Sequence, residues 1–329
     1  MKSKTLIIGG SGFVGSNLIN ILRDFDVINY DKNDSPFFSK ITIIGNVLDK
    51  VKLNDAMKGV DTVILLAAEH RDDVSPSSLY YDVNVNGTIN VLNAMDNNEV
   101  KKIIFTSSVA IYGLNKPNPN EDYNQDPFNH YGKSKWQAEQ EIYKWYIANP
   151  EKKIVDIIRP TVIFGERNRG NVYNFFKQIY SRKFLMIGSG KNKKSMAYVM
   201  NVVSFIKNRM MDYSNRFEIF NYVDKPDLDM NSLINLIKKT MGVHIINIKI
   251  PYFIGLIIGY LFDFFGFCVN KKLAISSIRI KKFCAETQFN STKMYKVFNP
   301  PYSLNEGIIK TLEHEFLNPK DDKVLFYTE

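Results

Sequence analysis

Gly9-Gly10-Ser11-Gly12-Phe13-Val14-Gly15 follows the apolar run Leu6–Ile8 and opens a stretch of helical periodicity, Val14–Arg23. Glycines at 9, 12 and 15 permit a tight turn and let the backbone come close to a pyrophosphate. The helix beginning there offers unpaired N–H groups and partial positive charge. Glycine-rich turns are common, but this one joins a strand to a helix, and an acid follows it. That acid, Asp31, ends the second apolar run, 16 residues beyond Gly15. Its carboxylate suits the two ribose hydroxyls of NAD and repels the 2′-phosphate of NADP. Lys32 beside it keeps NADP open, and a solvated turn aspartate is the plain alternative. The expected cofactor contacts here are Gly9, Gly12, Phe13, Val14, Gly15, Asp31 and Lys32.

Working outward, short apolar runs recur at Leu6–Ile8, Val27–Tyr30, Ile41–Ile44, Thr62–Leu66, Ile103–Thr106 and Val155–Ile158. Helix-like stretches separate them at Val14–Arg23, Val51–Met57, Val83–Met95 and Lys133–Ile147. Alternating strands and helices imply βαβ units, right-handed crossovers and an α/β, Rossmann-like doubly wound parallel sheet. After Gly165 the pattern loosens: helices are expected at Val172–Tyr180, Asn231–Thr240 and Leu304–Glu315, without regular strands between them. The expected organisation is a dinucleotide-binding domain over 1–165, with a segment of about 195–225 returning to it. Residues 166–329 form a smaller, mostly helical C-terminal substrate domain.

The 329 residues are 45% hydrophobic and 23% charged, which excludes a disordered or collagen-like chain. Two cysteines, Cys268 and Cys284, cannot build a disulfide framework, and no Cys/His cluster suggests a metal. The N-terminus enters its first strand directly, without a signal-peptide pattern, so a cytoplasmic enzyme is expected. Residues 1–150 carry 15 Lys+Arg against 18 Asp+Glu, and residues 151–329 carry 28 against 16, so the net +9 resides in the second half. Such a half suits a phosphorylated substrate or an anionic membrane surface; no nucleic-acid-binding motif is present, and no nucleic-acid partner is expected.

Thr106-Ser107-Ser108 ends the fifth strand, and Tyr131-Gly132-Lys133-Ser134-Lys135 follows it. At i and i+4 on a helix, Tyr131 and Lys135 share a face. A nearby ammonium favours phenolate, and the tyrosine can then exchange a proton with a sugar hydroxyl. Ser108 can hydrogen-bond the same oxygen. In a chain with 18 tyrosines the spacing alone could be chance; its order after the glycine loop, Asp31 and a strand-end serine argues otherwise.

These motifs resemble the extended short-chain dehydrogenase/reductases that act on activated sugars, and the likeness covers nearly the whole chain. Leu66-Ala67-Ala68 looks like the strand end lining the cofactor, Asn84-Val85-Asn86-Gly87-Thr88 like the family's Asn-Val-x-Gly-Thr helix, and Ser107–Gly113 like its Ser-Ser-x-x-Val-Tyr-Gly. Arg159–Gly165 is similar to its Arg-Pro-x-x-Val-Phe-Gly. The resemblance implies a Ser108, Tyr131 and Lys135 triad. It adds Asn46, Val47, Leu66, Ala67, Ala68, Asn84, Tyr131, Lys135 and Pro160 to the NAD contacts, although the family usually has Asp at position 46. Its dehydratases carry an Asp-Glu pair where this chain has Val109-Ala110, so dehydration is not expected.

Within the basic half, Gly165–Asn171 and Ser276–Phe283 sit where the family binds a sugar diphosphate. Arginine forks match phosphate oxygens, though any one of these residues alone reads as solvated surface charge. The substrate contacts expected are Ser108, His70, Arg169, Asn171, Lys194 and Arg279, and Arg71, Asp72 and Asp73 also follow the cofactor-lining strand. Residues 251–269 are apolar apart from Asp263, with Lys249, Lys271 and Lys272 flanking them. As a helix, the 18 residues after Pro251 span about 27 Å, short of a bilayer core of about 30 Å. A core helix and a helix lying in the membrane interface both fit.

A closer resemblance, carried by Ala68–Pro76, Lys194–Val199 and Arg279–Cys284, is to bacterial O-antigen 4-epimerases of undecaprenyl-diphosphate-linked N-acetylglucosamine. It implies reversible conversion to N-acetylgalactosamine for lipopolysaccharide O-antigen synthesis, peripheral to the cytoplasmic face of the inner membrane; a homodimer stays open. By that resemblance Tyr131 takes the 4-hydroxyl proton while the C4 hydride passes to NAD, and hydride returns to the other face. Three alternatives remain: the same chemistry on soluble UDP-N-acetylglucosamine, NAD(P)H-dependent reduction of a UDP-4-keto-6-deoxy sugar, and a non-catalytic NAD-binding regulator.

Overall fold

The computed structural model describes residues 3–71, 74–214, 216–245, 248–269, 276–319 and 324–328. Asp72, Asp73, Lys271 and Lys272 lie outside the described residues. The strands are β1 (Lys4–Ile8), β2 (Asp26–Asp31), β3 (Thr42–Ile44), β4 (Thr62–Leu65), β5 (Lys102–Thr106), β6 (Ile154–Pro160), β7 (Val162–Phe164), β8 (Met186–Ile187), β9 (Lys193–Tyr198), β10 (Phe217–Tyr222), β11 (Asp224–Asp229) and β12 (Lys249–Ile250). The helices are α1 (Phe13–Ile21), α2 (Lys50–Ala56), α3 (Ser78–Tyr81), α4 (Gly87–Asn97), α5 (His130–Ile147), α6 (Asn171–Tyr180), α7 (Val199–Met211), α8 (Met230–Met241), α9 (Tyr252–Cys268), α10 (Ser277–Cys284), α11 (Thr292–Tyr295) and α12 (Leu304–Leu312).

Seven strands form one parallel sheet in the order β10-β6-β5-β4-β1-β2-β3. Alternation along each strand sorts its side chains onto two faces. Ile7, Ile64, Ile104 and Ile158 join one core with Leu18 and Ile19 of α1 and Val202, Phe205 and Ile206 of α7. Leu6, Ile8, Val63, Leu65, Ile103, Phe105, Val155 and Ile157 join the other, with Leu53 of α2, Val91 and Met95 of α4, and Ala138 and Ile142 of α5. Both faces being covered explains why these strands read as continuous apolar runs. Winding reverses at β1, which lies between β2 and β4. The crevice beyond the carboxyl ends of those strands is where such sheets take ligands.

The second half contains short strands among its helices, where no regular strands were expected. β9 lies between β11 and β7 in a three-stranded sheet, and β12 pairs with β8. Lys193-Lys194-Ser195 opens β9 with polar residues that pair with β11 and the 285–287 segment, so no apolar run announces it. β10 completes the edge of the main sheet beside β6, and α7 packs on α1.

Candidate active site

The glycine loop leaves the C-terminal end of β1 and runs into α1. A Cβ at Gly15 would lie 2.5 Å from the Gly9 carbonyl and overlap Gly10, so the turn closes only with glycine there. Gly12 is the opposite case: a Cβ would meet nothing nearer than Gly9 O at 3.5 Å. It caps α1 in extended conformation with no side-chain hydrogen bond to the first turn. The first N–H groups of the nine-residue α1 thus face an open cradle, which suits an anionic pyrophosphate. Asp31 Oδ2 accepts from Ser11 N at 3.0 Å and Oδ1 from Asn33 N at 2.9 Å, so the acid is fixed against the loop with lone pairs to spare. Gly15→Ala is expected to cut NAD content of the purified protein by about tenfold or more, read by extracting and quantifying the dinucleotide.

Around this cradle the other sequence-derived cofactor residues fall as follows. Leu66 N and Ala67 N both donate to Ile8 O, which holds the Leu66–Ala68 strand end against β1. Asn46 is exposed; its carbonyl accepts from Tyr30 OH at 2.9 Å, while Val47 is buried in the core and Lys32 is exposed. Buried Asn84 spends its amide inside the protein, on Glu69 N (2.8 Å), Glu69 O (2.9 Å) and Ser134 Oγ (2.9 Å). It therefore straps the loop after β4 to the helix that carries Tyr131 and Lys135. Pro160 ends β6, and two hydroxyls near it, Ser107 Oγ and Thr161 Oγ1, are buried without a partner among the described residues. An orphaned buried hydroxyl costs about 1–3 kcal/mol, so this pair fits a ligand with polar groups. Sequence reading passed both over, since nothing local marks a hydroxyl as unpaired.

Ser108 caps a single 3₁₀ turn, Val109–Tyr112, its Oγ accepting from Ala110 N at 3.1 Å. Asn129 caps α5 by accepting from Gly132 N at 2.9 Å. A Cβ at position 132 would lie 2.6 Å from Ala110 O; glycine there lets α5 close on the 3₁₀ turn. That approach brings the Ser108 hydroxyl to the Tyr131 phenol, where its hydrogen bond pulls the phenol's pKa down. Burial is the larger effect and pushes the phenol up. Lys135, one turn on, is buried with its Nζ 4.3 Å from the Phe105 ring centroid. Burial brings its pKa down to about 7, against the Glu139 carboxylate, which raises it. In the chain alone, then, desolvation outweighs the expected pull of the ammonium on the phenol.

The expected substrate contacts divide. His70 and Arg71 follow the strapped loop, His70 exposed with Nδ1 3.4 Å from Ala68 O, and Asn171 is exposed at the first turn of α6. Arg169 is turned inward: its guanidinium pairs with the buried Glu315 carboxylate at 2.6 Å and lies 4.0 Å over Tyr173. Lys194 donates to the carbonyls of Lys282 (2.8 Å) and Ala285 (2.7 Å) at the end of α10, and burial lowers its pKa to about 8. Arg279 lies exposed on α10, its N–H donating to the Ser276 cap at 3.3 Å. The C-terminal segment adds a feature absent from the sequence reading. Phe326 packs on Phe13 and Phe37, at 5.8 and 6.3 Å between ring centroids, and its backbone pairs with Arg167 and Arg169.

A doubly wound sheet with an open glycine loop at its switch point, and a serine, tyrosine and lysine gathered on neighbouring elements, defines a dinucleotide-dependent enzyme of the short-chain type. The sequence matches the NAD dependent epimerase/dehydratase family over residues 5–221, and the chain belongs to that family. It is 54% identical, over the whole of both chains, to N-acetyl-α-D-glucosaminyl-diphospho-ditrans,octacis-undecaprenol 4-epimerase of Escherichia coli O157:H7. In fold it is similar to UDP-glucose 4-epimerase of Thermotoga maritima (TM-score 0.74, 22% identity, 95% of this chain and 98% of that one). It is likewise similar to the UDP-glucuronic acid 4-epimerase of Bacillus cereus solved with NAD (TM-score 0.72, 18% identity, 94% and 96%).

Proposed function

We propose that this protein interconverts N-acetylglucosamine and N-acetylgalactosamine by 4-epimerisation while the sugar is linked to undecaprenyl diphosphate, for O-antigen or surface polysaccharide synthesis. The observation that carries the chemistry is the close approach, at Gly132, of the helix bearing Tyr131 and Lys135 to the 3₁₀ turn that Ser108 caps. The substrate rests on the full-length likeness to the O157:H7 enzyme. Residues 1–165, with about 195–225, would hold the dinucleotide, and 166–329 the lipid-linked sugar. The enzyme would work peripherally at the cytoplasmic face of the inner membrane.

The N–H groups opening α1 would hold the pyrophosphate of NAD and Asp31 its ribose; when bound, the dinucleotide supplies an acceptor and donor for the C4 hydride. Tyr131 accepts the proton of the sugar's 4-hydroxyl as that carbon is oxidised, and returns it when the carbon is reduced from the opposite face. Ser108 donates to the reacting oxygen and holds the phenol in line with it. Lys135, as ammonium, stabilises against burial the Tyr131 phenolate that accepts this proton and that re-forms when the proton is returned. No redox equivalent is consumed over a cycle.

The test incubates purified protein, without added cofactor, with undecaprenyl-diphosphate N-acetylglucosamine and separately with UDP-N-acetylglucosamine, then identifies the released sugar. N-Acetylgalactosamine is expected from the lipid-linked substrate. Conversion of the UDP-sugar alone would remove the lipid-linked reading, and a reaction that proceeds only when NAD(P)H is supplied, consuming it stoichiometrically, would replace epimerisation by reduction.

A further inference from the structure

Among the described residues, no helix is long and apolar enough to cross a membrane. α9 nevertheless carries its apolar residues in the reverse of the usual order. The residues it buries are Gly255, Gly259 and Gly266, which fall on one narrow stripe at 100° per residue. A Cβ at Gly255 would lie 2.5 Å from Ile187, and one at Gly259 2.8 Å from Ser277 and Ile280. Glycine costs a helix about 1 kcal/mol per residue, so Gly255 and Gly259 are kept for close approach to β8 and α10 rather than for helicity. The opposite side holds Phe253, Ile257, Tyr260, Leu261, Phe264 and Phe267, of which Phe264 is 68% and Phe267 84% exposed. A helix packed for water would turn those rings inward.

We infer that α9 docks this protein on an anionic bilayer, lying in the plane of the interface with its aromatic side among the acyl chains. Charge decides between a bilayer and a second copy of the chain. Lys249 precedes the helix, and α10 packs along it carrying Arg279, Lys281 and Lys282. Lys281 Nζ reaches Tyr260 OH at 3.0 Å, so an ammonium borders the aromatic side. Two such faces brought together would oppose like charges, whereas anionic headgroups gain about 1 kcal/mol for each basic residue near them. Asp263 does not oppose this: its carboxylate accepts from Ser277 N at 3.1 Å, at the start of α10. Lys282 lies 5.9 Å over Phe128, three residues before Tyr131, so the docking pair of helices borders the mouth of the catalytic site. A diphosphate carried by a membrane lipid would meet the site from that side. This inference deepens the lipid-linked reading, and the two can fail separately.

The test floats the full-length protein on a density gradient with vesicles of phosphatidylethanolamine and phosphatidylglycerol, or of phosphatidylcholine alone. Wild type should rise with the anionic vesicles and less with the neutral ones. Leu261→Glu/Phe264→Glu should lower the bound fraction by about a hundredfold, and Lys281→Glu/Lys282→Glu by about tenfold. Phe267→Trp, a ring-for-ring change at an exposed position, supplies a second readout: its emission should shift to the blue on anionic vesicles. Wild type that stays at the bottom, a Glu pair that floats like wild type, or tryptophan emission unmoved by vesicles would overturn the inference. So would a wild-type dimer that the Glu pair converts to monomer. In detergent, the Glu pair should epimerise the lipid-linked sugar at the wild-type rate. Flotation without that activity in the wild type would sink the substrate reading alone; activity without flotation would sink only the docking.

Discussion

Tyr131→Phe is expected to lower the epimerisation rate about a thousandfold, within the range of about 10²–10⁴ typical for loss of a positioned acid–base group. The change removes one oxygen and keeps the ring, so the fold and the NAD content should not move. The physical ground lies in the balance around the phenol. Burial holds it protonated, and the Ser108 hydroxyl is the group that works against burial. An oxygen so placed changes its protonation easily when a cation or a substrate oxygen arrives, and a ring without it cannot. Ser108→Ala should therefore lose less, about 10–100-fold, because the proton carrier survives without its partner. Turnover of sugar by the Tyr131→Phe protein at the wild-type rate, with product identified by chromatography, would take Tyr131 out of the reaction.

The parts of this architecture legible in the sequence are those whose determinants are local. Gly9, Gly12 and Gly15 lie within one turn of chain, and Tyr131 and Lys135 within one turn of helix, so spacing alone places them together. The buried parallel strands were legible because both faces of the sheet are covered and each strand reads as apolar throughout. What escaped depends on partners far away in the chain. Arg169 looks like a phosphate ligand until Glu315 is seen beneath it, and Lys194 until the end of α10 is. Strand β9 begins with two lysines whose backbone partners come from the 224–229 and 285–287 segments, and no alternation announces it. Segment 251–269 was legible as apolar, but its glycine stripe could not be assigned to an inner or outer side without Ile187 and Ser277.

Arg159→Leu should destabilise the protein by about 3–5 kcal/mol, the range for breaking one side of a buried ion pair. Arg159 sits on β6, buried, and holds Glu139 with two hydrogen bonds, Nε to Oε1 at 3.0 Å and Nη2 to Oε2 at 2.6 Å. Its Nη1 donates to Tyr112 OH at 2.7 Å and to Glu121 O at 3.0 Å. Leucine would leave a carboxylate, a phenol and a carbonyl without that donor in a site water does not reach. For a chain of this length the melting temperature should fall by about 4–7 °C. Glu139→Leu/Arg159→Leu should recover most of the loss, because a buried pair exchanged whole for apolar side chains leaves no charge behind. Catalysis reports on the same pair through a second channel. Glu139 lies one turn beyond Lys135 and raises the pKa of an ammonium that burial has brought to about 7. Removing the carboxylate lowers that pKa further, so the double variant should lose activity at a lower pH than wild type on the alkaline side. Arg159→Leu alone leaves Glu139 uncompensated beside Lys135, and its alkaline limb should move the other way. Calorimetry and a pH profile of kcat/KM on the same three proteins read both effects. Alkaline limbs that coincide would leave the pair a structural role only.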